Sequence, residues 1–178
     1  MRLFVAIVLD TGARTHVERI QYQLKIRSRN IRLTPFENLH LTLAFLGEVS
    51  SERIPEITSI MDAVQCTPFV IQLSQLGCFF KHYGDIWWVG ADGKNELLLL
   101  QHSLTNALRE CRIWFDPKPF VPHLTIARDV VIAHTTQKEE LLSRTDAYTM
   151  PVDSISLMSS EHGDRGPLYS ELHRTLLR

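Results

Sequence analysis

The sequence predicts a mixed fold of helices and strands, α/β or α+β, and three observations predict it. Strand-like apolar runs alternate with segments of helical spacing along the whole chain. The alternation is irregular, with strands in succession near the middle and the end, which does not suit a simple doubly wound parallel sheet. One strand-like pattern, His40-Leu41-Thr42-Leu43, returns as His123-Leu124-Thr125-Ile126, which suggests two related lobes facing one another.

Each element has its own signal. Residues 2–9 are mostly branched or aromatic and read as a first, buried strand; the run is too short for a signal sequence or a membrane span. Asp10 or Thr11 can cap a following helix with Val17, Ile20 and Leu24 on its inner face. Leu39–Leu46 is a second strong strand, closed by Gly47. Ser50 or Ser51 then caps a helix to about Val64, with Ile54, Ile57 and Met61 on one side. Phe69–Leu76 alternates as a strand, and Ile86–Gly90 follows the turn-like Tyr83-Gly84-Asp85. Asn95–Cys111 places Leu97, Leu100, Leu104 and Leu108 at helical spacing. Pro117, Pro119 and Pro122 break the chain before a strand at His123–Arg128. A short helix near Thr136–Ser143 follows. Val152–Ser159 and Leu168–Leu172 close the chain as strands joined by the turn Gly163-Asp164-Arg165-Gly166-Pro167. No linker or low-complexity tract divides residues 1–178, so a single domain is expected.

With 44% hydrophobic and 22% charged residues, the composition is that of a water-soluble globular chain, and 178 residues suffice to bury a core without staples. The formal net charge of -1 announces no global attraction to nucleic acid. Yet Arg2, Arg14, Arg19, Lys25, Arg27, Arg29 and Arg32 crowd the first 34 residues against only Asp10 and Glu18. That cluster, expected largely on the first helix, either steers a phosphate-bearing ligand or is a solvated face. Cys66, Cys78 and Cys111 are odd in number and form no Cys-x-x-Cys pair, which argues against disulfides and a zinc knuckle and suits the reducing cytoplasm.

The repeated pattern carries the chemistry. Alternate strand residues share a face, so His40 sits beside Thr42 and His123 beside Thr125, while Leu41, Leu43, Leu124 and Ile126 turn into apolar packing. On average composition a given histidine shows His-apolar-Thr-apolar in roughly one case in a hundred, so two matches among eight histidines outweigh the alternative of two unrelated, hydrogen-bonded strand histidines. His134-Thr135-Thr136-Gln137 fits His-x-Thr-x literally, but its polar x positions cannot be buried and it reads as surface. Two histidines flanking a phosphorus can divide acid and base roles, since their proton affinity lies near physiological pH. Two hydroxyls can hold the non-bridging oxygens where charge builds. The symmetric pair permits either assignment of acid and base. A metal hydrolase is disfavoured, because zinc wants three or four ligands and each strand offers one. A serine hydrolase lacks its Gly-x-Ser-x-Gly elbow. No metal or cofactor is called for.

Taken together, Arg2-Leu3-Phe4-Val5-Ala6-Ile7, Glu37-Asn38-Leu39-His40-Leu41-Thr42-Leu43-Ala44-Phe45-Leu46-Gly47, Pro119-Phe120-Val121-Pro122-His123-Leu124-Thr125-Ile126-Ala127-Arg128 and the tail from Leu157 through Tyr169 resemble the bacterial and archaeal RNA 2′,3′-cyclic phosphodiesterases, the 2′-5′ RNA ligase family of the two-histidine phosphoesterases. The resemblance spans nearly the whole chain, with the two His-x-Thr-x motifs its specific part. It implies an α+β bilobal fold, two antiparallel-rich sheets with outer helices around a central cleft, related by a pseudo-twofold axis. It implies conversion of RNA 2′,3′-cyclic phosphate ends into 2′-phosphates, with His40 as proton donor, His123 as proton acceptor and Thr42 and Thr125 on the phosphate. The expected partner is RNA or a nucleotide with a 2′,3′-cyclic phosphate, met by a cytoplasmic monomer without membrane contact, with weak reverse 2′-5′ ligation as a minor activity. A small cyclic phosphate (ADP-ribose cyclic phosphate or a cyclic nucleotide) and a non-catalytic RNA-binding role are the alternatives.

Arg128, Phe45 and Tyr169 are candidate substrate contacts. Arg128 lies five residues past His123 and on a regular strand points away from it, reaching the cleft only if the strand ends or bulges. Where many relatives carry a Pro-Arg pair, this chain has Tyr83-Gly84-Asp85 before Ile86-Trp87-Trp88-Val89-Gly90, which puts that hairpin's substrate contacts in doubt. Phe79, Phe80, Tyr83 and Trp87 either stack on a base or simply pack in the hairpin.

Overall fold

The computed structural model describes residues 1–143, 147–163 and 166–178. Among the described residues nine strands form two wholly antiparallel sheets, so the fold is α+β. The strands are β1 (Arg2–Val8), β2 (Ser28–Leu33), β3 (His40–Glu48), β4 (Phe69–Phe79), β5 (Asp85–Asp92), β6 (His123–Ile132), β7 (Tyr148–Val152), β8 (Ser154–Gly163) and β9 (Gly166–Leu176). Four α-helices join them among the described residues: α1 (Thr11–Lys25), α2 (Ile54–Ala63), α3 (Lys94–Glu110) and α4 (Thr135–Leu142).

One sheet runs β3-β1-β8-β9 and the other β2-β6-β5-β4-β7. The two lobes are therefore not the two halves of the chain. The carboxy-terminal hairpin β8–β9 returns to complete the sheet begun by β1, and β3 and β6 come into contact where the sheets meet. Helices α2 and α3 pack on the outer side of one sheet, α1 and α4 on that of the other, and one large apolar cluster runs through both layers.

Local chemistry explains most elements. Asp10 caps α1 as expected, its Oδ1 accepting from the Ala13 amide at 2.6 Å. The inner face of α1 is Ala13, Val17, Gln21 and Leu24, with Ile20 only partly covered. Three expectations are corrected. Strand β2 was not foreseen, because polar Ser28, Arg29, Asn30 and Arg32 lack an apolar alternation; β6 supplies its hydrogen bonds instead. The run expected as one strand over Val152–Ser159 is two, parted at Asp153, and the first of them pairs with β4 in the other sheet. The basic cluster is also divided: Arg14, Arg19 and Lys25 lie on α1, Arg27 just after it, Arg29 and Arg32 on β2, and Arg2 on β1, so it is not one helix face. Of the expected turn after β8, Asp164 and Arg165 lie outside the described residues.

Candidate active site

Both repeated motifs begin strands, and both are held from behind by the core. Leu41, Leu43, Leu124 and Ile126 are buried, and full burial of such a side chain is worth roughly 1.5–3 kcal/mol. Their partners on the opposite face, His40, Thr42, His123 and Thr125, line one cleft of about 590 Å³ between the sheets. A second hollow of about 730 Å³, by Arg19, Tyr22, Leu76 and Leu141, is larger but contains neither motif, so volume alone is a poor guide to the chemistry.

The two histidines are oriented by the same device. His40 Nδ1 donates to the Asn38 carbonyl at 2.7 Å, and His123 Nδ1 donates to the Val121 carbonyl at 2.6 Å. A carbonyl can only accept, so the proton of each neutral ring sits on Nδ1, leaving the Nε2 lone pair able to accept a proton. His40 Nε2 lies 3.1 Å from Thr42 Oγ, so the neutral ring accepts from the hydroxyl and the charged ring donates to it.

Both strands bulge at the last residue of the motif. Val5 pairs with Ala44 and Ala6 with Thr42, leaving Leu43 as an extra residue on β3; Trp87 pairs with Ala127 and Trp88 with Thr125, leaving Ile126 extra on β6. A bulge of this kind reverses the parity of facing. Leu43 and Ala44 are accordingly both buried, as are Ile126 and Ala127. The residues five past each histidine, Phe45 and Arg128, thereby turn into the cleft. This resolves the position of Arg128, which regular alternation would have aimed away. Tyr169 joins them from β9, edge-on to His40 with 5.2 Å between ring centroids.

The surroundings differ between the histidines. His40 is enclosed by Phe4, at 4.7 Å between centroids, and by Tyr169. Burial above all pushes the His40 imidazole below its ordinary 6.5; the Asn38 carbonyl pulls the other way, and the charges of His123 and Arg128 add to the depression. Burial likewise raises the Tyr169 phenol, against the charges of Arg128 and Arg2. His123 instead meets Phe79 edge-on at 5.3 Å and Trp88 at 6.0 Å between centroids.

Several cleft residues, Asn38, Phe4, Ser160 and His162 among them, have no site role in the sequence reading, whereas Arg2 and Arg32 belong to its basic cluster. Asn38 is buried, and its side-chain amide donates to the Pro167 carbonyl at 2.7 Å, tying the turn before His40 to the β8–β9 hairpin. Arg2, Phe4, Arg32, Ser160 and His162 also line the cleft. The alternation along β1 also hints at two of them, since Arg2 and Phe4 share the side opposite core residues Leu3 and Val5. Trp87 is fully buried and cannot stack on a base; Phe79, Phe80 and Tyr83 remain exposed on the β4–β5 hairpin. His134 is exposed at the start of α4, outside the cleft. Among the described residues no three His, Cys, Asp or Glu side chains gather as a metal site, and no helix is long and apolar enough to cross a membrane.

Comparison with known proteins places these features in context. The 2′-5′ RNA ligase superfamily profile matches residues 9–164. An RNA 2′,3′-cyclic phosphodiesterase of Methanothermobacter thermautotrophicus is 32% identical, covering 97% of this chain and 96% of its own. The crystal structure of TT0787 of Thermus thermophilus superposes with a TM-score of 0.82 at 29% identity, covering 100% of this chain and 98% of that one. Escherichia coli LigT complexed with 3′-AMP gives 0.82 at 26% identity, covering 99% and 97%.

Proposed function

This chain belongs to the 2′-5′ RNA ligase superfamily, and from that premise we propose that it is a phosphodiesterase opening RNA 2′,3′-cyclic phosphate ends to 2′-phosphates. One observation carries the reading: two imidazoles, each with Nδ1 tied to a backbone carbonyl and Nε2 left to react, line one cleft with two hydroxyls. His123 Nε2 takes a proton from water as its oxygen attacks phosphorus. The bond from phosphorus to the 3′ oxygen breaks, and His40 Nε2–H gives that oxygen its proton. The product is a 2′-phosphate beside a 3′-hydroxyl, and the proton count closes on one water consumed. Thr42 and Thr125 donate to the non-bridging oxygens, and Arg128 offsets their charge. Phe45 and Tyr169 are the candidate surfaces against the nucleoside.

The depressed proton affinity of His40 is compatible with its role as donor. A cyclic phosphate diester brings a negative charge beside the ring, and an opposite charge at short range favours the protonated imidazole. The neutral tautomer left after transfer is the one the Asn38 carbonyl already selects. We assign the protein to the cytoplasm as a monomer, in keeping with its three free cysteines.

The test is product analysis on a defined oligonucleotide ending in a 2′,3′-cyclic phosphate, with chelator present. A 2′-monophosphate end is expected. A 3′-monophosphate product would reverse the assignment of the leaving oxygen, and absence of turnover would end the enzymatic reading.

A further inference from the structure

The cleft holds more positive charge than one phosphate requires. Arg2, Arg32 and Arg128 line it together with His40, His123 and His162, and no aspartate or glutamate does. Elsewhere Arg27, Arg53 and Arg174 pair with carboxylates, and within the cleft Arg32 pairs with Asp129 at 2.9 Å. Among the described residues Arg2 and Arg128 have no carboxylate partner. Glu48, opposite Arg2 in register, turns instead to the amino terminus of Met1 at 3.5 Å.

The two arginines occupy different parts of the cleft. Arg128 lies on β6, the strand of His123 and Thr125, whereas Arg2 pairs with Glu48 and Ser160 at the opposite end of β1 from Val8, the partner of His40. Arg128 thus belongs to the reacting centre and Arg2 lies further along the cleft. The Arg2 guanidinium carbon lies over the Phe45 ring, 5.0 Å from its centroid, a cation–π contact that holds the charge in the cleft. Ser160 is its direct neighbour on β8, and His162 lies two residues further along the same side of that strand.

We propose that Arg2, with Ser160 and His162, forms a second anion subsite that binds a phosphate on the 5′ side of the cyclic end. The inference rests on the reading of the cleft as a cyclic-phosphate site and deepens it: the preferred substrate carries two phosphates, one opened between the histidines and one held by Arg2. Either a 5′-monophosphate on the terminal nucleoside or the phosphodiester leading to the preceding nucleotide supplies that chemistry.

Three compounds separate the cases: a nucleoside 2′,3′-cyclic phosphate, the same compound with a 5′-phosphate, and a dinucleotide ending in the cyclic phosphate. The wild-type KM is expected to be at least about tenfold lower for compounds that fill the subsite, the size of one charge-assisted contact. In Arg2→Gln that ratio falls to about one. His162→Gln shifts it the same way by less, and a thermal melt confirms folding of both variants. A gain with both phosphorylated compounds assigns the subsite to any 5′ phosphate; a gain with the dinucleotide alone assigns it to the phosphodiester. Equal KM values for all three in the wild type, or a preference that survives Arg2→Gln, overturn the subsite. If no compound is turned over, the enzymatic reading fails separately. Calorimetric titration of the same compounds then reads the subsite, by an affinity ratio that either collapses in Arg2→Gln or does not.

Discussion

Strands β3 and β6 carry the same four-residue pattern and the same bulge, but they sit in unlike surroundings. β3 is an edge strand and β6 is flanked by β2 and β5. His40 is walled by Phe4 and Tyr169, and the carbonyl that orients it belongs to a buried asparagine tied to Pro167. His123 meets Phe79 and Trp88 instead, and the carbonyl that orients it belongs to the exposed Val121 in a proline-broken segment. The fifth residue is an aromatic ring on one strand and a guanidinium on the other. Backbone geometry thus orients the two imidazoles alike, and burial among its neighbours lowers the proton affinity of His40.

The strongest way to break this comparison is to remove each ring. His40→Ala and His123→Ala are each expected to lower kcat by about 100- to 10,000-fold, the usual worth of a general acid or base, with the fold retained by circular dichroism. His134→Ala, outside the cleft, is the control and leaves turnover unchanged. A large loss in only one motif variant would show that the strands are alike in form alone.

The hydroxyls sharpen the comparison next. Thr42→Val and Thr125→Val are each expected to cost about 100- to 1,000-fold in kcat if both donate to the charged oxygens. A loss confined to Thr42→Val would mean that its contact with His40 Nε2, rather than the phosphate, is what matters.

Asn38 tests the asymmetry. Asn38→Ala leaves the Pro167 carbonyl without its donor, which is expected to cost about 1–3 kcal/mol of stability in a denaturant melt. Val121→Ala, on the His123 side, is expected to change stability within about 0.5 kcal/mol. Equal effects would erase the distinction.

The smallest effect is in titration. By NMR the His40 ring should titrate below 6.5, because burial disfavours its charge, and inorganic phosphate should move the midpoint up. The folded-state affinity is the lower one, so the unfolded chain binds the proton more readily. The contribution to stability is then present above 6.5 and lost as pH falls through the folded-state midpoint. A His40 midpoint at or above 6.5 would remove the electrostatic half of the comparison.

Much of this was legible before any tertiary structure. The duplicated motif was readable because a strand's period of two puts His and Thr on one face and anchors the other, so four residues state both the chemistry and its support. The long amphipathic α3 was readable for the same local reason. Strand β2 was not, because its polar residues become a strand only by borrowing hydrogen bonds from β6.

The sequence by itself determined that two His-Thr pairs exist on rigid strands, since facing and burial there follow from neighbours one or two residues away. Only the tertiary structure decided that Phe45 and Arg128 turn inward, because a bulge is defined by the partner strand's register. Only the tertiary structure enclosed His40 between β1 and β9 and brought Arg2 to Ser160. Proton affinity and charge depend on what lies nearby in space, and those neighbours come from opposite ends of the chain.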